Sequence, residues 1–290
     1  MNKEKIWIPF LSTLAMLLLL ITSLTAILTN DGGRPYPFTT LRGETIAIYG
    51  GQGLYQYDSV AKAVMFLGFD WVDLTIIVPL FILGLIWYRR GQLRGQLLLG
   101  SLFTYLAYIL LIGVMGNAFN AMFLAWTGLF SIGLFGVALI VNDMDLSTIP
   151  KRLATDFPRK SLAIYMLILG TFLITQYLGE IIPAYVAGTP PSTLEIYTTL
   201  ELAALELGIM APLHLLGGML LWKQKASGYF IATSLALAAS MTFIALSIFS
   251  WVMYFSFDKG GPADLAIPIV LAMIASSFSV VIFLRVKGVT

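Results

Sequence analysis

The chain reads as an all-α membrane protein of eight transmembrane helices, arranged as two parallel four-helix repeats with a small extracytoplasmic β-hairpin loop. Three observations lead there: the composition, eight apolar runs of spanning length, and a motif that occurs twice. Of 290 residues, 59% are hydrophobic and 11% charged, and the mean hydropathy is +0.89. A soluble domain is nearer half apolar and a quarter charged, so a water-soluble globule, a disordered chain and a basic nucleic-acid binder are excluded. The absence of cysteine excludes disulfides, thiolate catalysis and iron–sulfur clusters. His214 is the single histidine, which excludes a multi-histidine metal centre. No cofactor and no metal are expected, and the bilayer itself is the first partner.

A spanning helix takes about 20 apolar residues. Such runs lie at 6–28, 69–88, 96–116, 120–141, 161–182, 199–222, 228–254 and 265–284. The first follows Lys3 and Lys5 but is too long for a signal-peptide core and lacks a small-residue cleavage site, so it reads as an uncleaved anchor. With the amino terminus inside, thirteen of the 17 basic residues fall in inner segments. They are Lys3, Lys5, Arg89, Arg90, Arg94, Lys151, Arg152, Arg159, Lys160, Lys223, Lys225, Arg285 and Lys287. Only Arg34, Arg42, Lys62 and Lys259 fall outside. This asymmetry places both termini in the cytoplasm of a cell carrying the protein in its inner membrane. Trp7, Trp87 and Trp222 near inner ends, and Trp71, Trp126 and Trp251 near outer ends, fit interfacial indoles.

Residues 29–68 form the sizeable outer loop. Glu44–Tyr49 and Leu54–Asp58 read as two strands around the Gly50–Gly53 turn, and Asp58 or Ser59 as the cap of a short helix, 59–67, lying on the membrane surface. Ser59 and Lys62 match the Ser-x-x-Lys spacing of serine acyl-enzymes, but the further motifs of that family are missing, so the helix cap is the better reading. An enzyme is accordingly disfavoured.

The repeated motif sets the domain organisation, 1–150 and 151–290. The second span carries Asp73, Pro79, Gly84 and Trp87 before Arg89; the sixth carries Glu206, Pro212, Gly217 and Trp222 before Lys223, in register apart from two extra residues before the second Trp. Four spans per half is an even number, so the halves are parallel, related by an axis along the membrane normal. Each proline frees a carbonyl and kinks its helix, so Pro79 and Pro212 are expected to face the bundle interior or a cavity.

A charge inside a bilayer costs about 2.5–3.5 kcal/mol even on insertion scales, so intramembrane acids are functional candidates. Glu206 leads as a ligand- or proton-binding residue, followed by Asp73 and Glu201. Asn117, Asn120, Gln176 and Thr242 supply neutral polar groups at similar depth. His214, two turns inward from Glu206, is set about 80° around an ideal helix from it, too far for a direct bond. The small residues Gly128, Gly133 and Gly136, and Ala232, Ala236, Ala239 and Ser240, read as close helix packing.

The stretch Gly53–Ser59, the basic turn Arg89–Gly95, Phe119–Leu124 and the Glu206–Pro212 segment resemble polytopic bacterial membrane proteins without an assigned function. That resemblance implies a shape and carries over no residue role. The function expected is a small transporter or permease, with an outward-facing acidic cavity for a small polar or cationic ligand. The alternative is a non-catalytic membrane subunit, sensor or assembly factor that meets a membrane-protein partner through the outer loop or a lateral helix face.

Overall fold

The computed structural model describes residues 6–287. Lys3 and Lys5, counted among the inner charges, lie outside them. Among the described residues, eight helices are long and apolar enough to cross a membrane. They are α1 (Trp7–Thr29), α2 (Val60–Arg89), α3 (Leu93–Gly116), α4 (Phe123–Asp143), α5 (Arg159–Ala187), α6 (Glu201–Trp222), α7 (Ala226–Ser256) and α8 (Pro262–Arg285). The chain is a multi-pass membrane protein.

Helix α3 is the most enclosed, with Leu99, Leu102, Phe103, Tyr105 and Leu106 fully buried. It packs on α2 and α4, as α7 packs on α6 and α8, and the two trios meet where α3 crosses α7. Lipid tails are as apolar as leucine, so these contacts depend on close approach rather than on escape from water. A Cβ on Gly136 would press into the Phe103 ring, and one on Gly133 would come within 2.9 Å of the Phe103 carbonyl oxygen. On α7, Ala232, Ala236, Ala239 and Ser240 are all buried. The small-residue runs do mark close packing, with one exception: Gly128 meets only Leu18, at 3.6 Å.

Three expectations change. The hairpin exists but in another register: β1 (Tyr36–Thr39) pairs antiparallel with β2 (Thr45–Ile48), Tyr36 opposite Ile48 and Thr39 opposite Thr45. The Gly50–Gly53 stretch has φ of 66°, 69° and 120° at Gly50, Gly51 and Gly53 and makes a wide loop rather than a hairpin turn. Residues 54–58 therefore form turns, although Tyr49 and Gly50 still donate to the carbonyls of Asp58 and Gln56. Pro37 is tolerated because this two-stranded ribbon is all edge.

Second, the 59–67 segment is no surface helix. Ser59 caps it as expected, its Oγ accepting the Lys62 N–H at 3.1 Å, a bond worth about 1 kcal/mol. The helix then runs unbroken into the second span. Val60 and Val64 are each 2% exposed, packed into the core instead of lying on lipid.

Third, Pro79 and Pro212 face outward and are exposed. Each is preceded by a π-helical turn that starts at the acid, Asp73–Ile77 and Glu206–Met210. Val78 N–H donates to the Asp73 carbonyl and Ala211 N–H to that of Glu206, spanning five residues instead of four. Six residues separate acid from proline, which in a helix puts them on well-separated faces. The acids take the interior and the rings take the lipid side.

The exits match in the same detail. Arg90 and Lys223 end their helices at φ/ψ of −82°/5° and −77°/7°. Gly91 and Gln224 follow with positive φ, 68° and 57°. Gly95 then lies against the backbone of Trp87 and Tyr88, and Gly228 against that of Leu220 and Leu221. Every one of these pairs keeps the 133-residue offset that separates Asp73 from Glu206. The two interfacial tryptophans break it and are not equivalents.

Candidate functional site

The π turns aim two carboxylates at one helix. Tyr105 on α3 donates to Asp73 Oδ1 at 2.8 Å, and Tyr108, one turn along, donates to Glu206 Oε1. Neither phenol was singled out from sequence. Their i,i+3 spacing in the middle of an apolar span is the signal that was there, since a buried Tyr hydroxyl requires a partner.

Beyond that likeness the acids part. Glu206 lines a cavity of about 100 Å³ between α3, α5, α6 and α7, together with Gln176, Tyr177, His214 and Thr242. Three polar atoms on its walls are buried and without a protein partner: Glu206 Oε2, His214 Nε2 and Thr242 Oγ1. Glu206 is 8% exposed and His214 2%. The two were expected on diverging faces of an ideal helix; the wide turn over Glu206–Met210 winds back part of that rotation, and both reach the same space. Asp73 does not line this cavity.

A second chamber of about 340 Å³ lies above it on the hairpin side, lined among others by Lys62, Glu180, Glu195 and Glu201. Gln176 and Tyr177 belong to the walls of both chambers. The roof is the segment between α5 and α6, where the chain leaves helical geometry: Glu195 holds φ 47° and ψ −128°, a strained conformation for a residue with a side chain. What holds it is polar. Arg42 of the hairpin donates to the carbonyl of Tyr197 at 2.8 Å and to that of Glu195. Ser59 Oγ donates to the Glu195 carboxylate. Tyr197 OH donates to Asp58 Oδ1 at 2.8 Å, and the Ala118 N–H to the same oxygen at 2.7 Å.

Burial pushes the Asp58 carboxyl up to about 6, against the pull of the Ala118 amide, the Tyr197 hydroxyl and Lys62. Burial likewise raises Glu195, opposed by Ser59 and Lys62. Lys62 and Glu201 form a buried ion pair, with the ammonium also 4.6 Å from the Tyr197 ring centre. Glu180 accepts from Ser192 Oγ at 3.1 Å and the Thr193 N–H at 2.9 Å. After Lys62 is set against Glu201, the chamber keeps a surplus of two acids.

Ser59 and Lys62 are therefore a cap and an ion pair: the hydroxyl faces a carboxylate and the ammonium is committed to Glu201. Asn120 closes the turn before α4, its Oδ1 accepting the Met122 N–H at 2.9 Å. The Asn117 amide is buried at the end of α3 with both polar atoms unpartnered, outside the walls of the two chambers. Among the described residues, no group of three or more His, Asp or Glu is arranged to hold a metal.

In comparisons with known proteins, the chain matches no protein family, no curated protein and no solved structure.

Proposed function

We propose that this membrane protein is a small permease that admits a proton or small cation from the hairpin side to Glu206, with that side facing out of the cell. The observation that carries the reading is the shared wall: Gln176 and Tyr177 line both an acidic chamber and a cavity where an intramembrane carboxylate keeps one oxygen unpartnered. A buried polar atom left unpaired costs about 1–3 kcal/mol, so a guest that satisfies three of them binds with a built-in gain. At ~30 Å³ per water the inner cavity holds about three waters or one small cation with water, which sets the size of that guest.

The paired π turns, exits and glycines support two parallel four-helix repeats. The contacts between halves also have the reciprocity of a twofold axis: α2 reaches α7, α6 reaches α3, and α3 meets α7. In this reading the repeat has diverged in use. Tyr105 closes over Asp73, whereas Glu206 opens to the cavity.

A second reading, a subunit docking a partner within the bilayer, is favoured by an apolar crevice of about 500 Å³ between α3, α4, α6 and α7. Flux decides between them. Purified protein in liposomes with a trapped pH dye is driven by an inside-negative potassium diffusion potential. Wild-type protein is expected to acidify the lumen, and Glu206→Gln to slow this at least tenfold while remaining folded. Wild-type flux no faster than protein-free liposomes, or full flux in a stable Glu206→Gln protein, contradicts the permease reading.

A further inference from the structure

We infer that the Glu206 cavity selects a small ammonium-type cation, ammonium itself or the head of a primary amine, over alkali metal ions. The inference rests on the two-chamber permease reading and adds the chemical class of its ligand. The hydrogen bonds around the cavity determine what its walls offer. Tyr108 occupies Glu206 Oε1 and leaves Oε2 without a partner. His214 Nδ1 lies 2.7 Å from the Met210 carbonyl oxygen. A carbonyl only accepts, so Nδ1 carries the hydrogen, and in the neutral ring Nε2 keeps an open lone pair on a residue that lines the cavity. The Thr242 hydroxyl adds a third open atom.

One carboxylate oxygen, one imidazole nitrogen and one hydroxyl, all unpartnered and all on residues lining one small cavity, suit a donor carrying positive charge. Alkali and alkaline-earth cations are hard and take several oxygen ligands, so an imidazole lone pair is a poor substitute. A transition metal suits imidazole but needs three or four ligand side chains, and Glu206 and His214 are the only wall residues of that type. An ammonium group carries tetrahedral N–H donors and satisfies nitrogen and oxygen acceptors alike. Phe172, Tyr177 and Phe243 are among the other wall residues, and aromatic rings favour an ammonium over a strongly hydrated metal ion. The carbon chain of a primary amine has room in the acidic chamber above, past Gln176 and Tyr177.

The test is binding, measured apart from flux. Purified protein in detergent is equilibrated with radiolabelled methylammonium at neutral pH, then challenged with ammonium, sodium and potassium chlorides. Saturable binding is expected, with ammonium displacing the label at least tenfold better than sodium or potassium. His214→Leu should weaken it about tenfold and Glu206→Gln abolish it, with His214→Gln, which retains an acceptor, falling between wild type and the leucine variant. The wild-type competition stands even where a variant fails to fold. Absence of saturable methylammonium binding, or sodium or potassium competing as well as ammonium, overturns the inference. If Glu206-dependent proton flux persists in that case, the permease reading survives without it; if flux is absent as well, both fall.

Discussion

Removing the Lys62 ammonium should unsettle the hairpin side far more than a surface charge would. The side chains of Lys62 and Glu201 are 9% and 6% exposed, and they tie together helices 139 residues apart in sequence. Lys62→Met leaves Glu201 buried, with the Ala118 and Tyr197 groups already committed to Asp58. Breaking one side of a buried pair costs about 3–5 kcal/mol, because the remaining charge has no compensation. Glu201→Leu strands the ammonium over the Tyr197 ring, an interaction that returns about 0.5–2 kcal/mol. The double variant buries two apolar side chains and no charge, so it should lie close to wild type. The resulting coupling energy is then about 3 kcal/mol or more. Reversible unfolding of the four proteins in mixed micelles, by titration with a denaturing detergent, measures it. A coupling below about 1 kcal/mol, the range of solvent-exposed pairs, would show that this pair is not desolvated and does not tie α2 to α6.

Asp58 carries a pH prediction. Its folded-state value of about 6 lies above the ordinary 3.8, so its stabilising contribution is complete below about pH 4 and is lost as pH rises through 6. The shift corresponds to about 3 kcal/mol, so Asp58→Asn should raise the melting temperature at pH 7.5 and flatten its dependence between pH 4 and 6. A variant less stable than wild type at pH 7.5 contradicts this. Gly95→Ala and Gly228→Ala each drive a Cβ into neighbouring backbone, and both should lose about 1–3 kcal/mol; a silent substitution at one site alone would argue against equivalent turns. Since the chain has no cysteine, Leu41→Cys, at a position 96% exposed, should label with an impermeant thiol reagent in intact cells, and Lys223→Cys should not. The reverse pattern inverts the orientation.

The eight spans were legible because length and hydropathy alone determine them, and no competing structure satisfies backbone groups in lipid. The hairpin register was not, because the Gly50–Gly53 signal outweighed that of Tyr36–Thr39, whose pairing with Thr45–Ile48 is continued by the Arg34 N–H donating to the Tyr49 carbonyl. The outward prolines were misread for a different reason: the wide turn absorbs the missing donor, and no residue type announces a π turn. At the site, Glu206, Glu201, Gln176, Thr242 and His214 were all visible as polar groups at depth. That Glu206, Gln176, Thr242 and His214 share one cavity was not, since it depends on that same turn and on α5 and α7 bringing Gln176 and Thr242 to the α6 face. Glu195 and Tyr197 escaped notice because a loop residue acquires its meaning only from what it reaches, here Ser59 and Asp58.

Whether the Glu206 cavity opens to the hairpin side through Gln176 and Tyr177 can be read from a cysteine placed at Thr242, which lines it. In oriented membrane vesicles containing a thiol scavenger, Thr242→Cys is expected to react with a small aminoethyl thiosulfonate added from the hairpin side. Ammonium chloride should slow that reaction, and the bulky Gln176→Trp substitution should block it. Reaction only from the opposite face, or none in a folded protein that labels fully once denatured, would mean that the cavity does not open to the hairpin side.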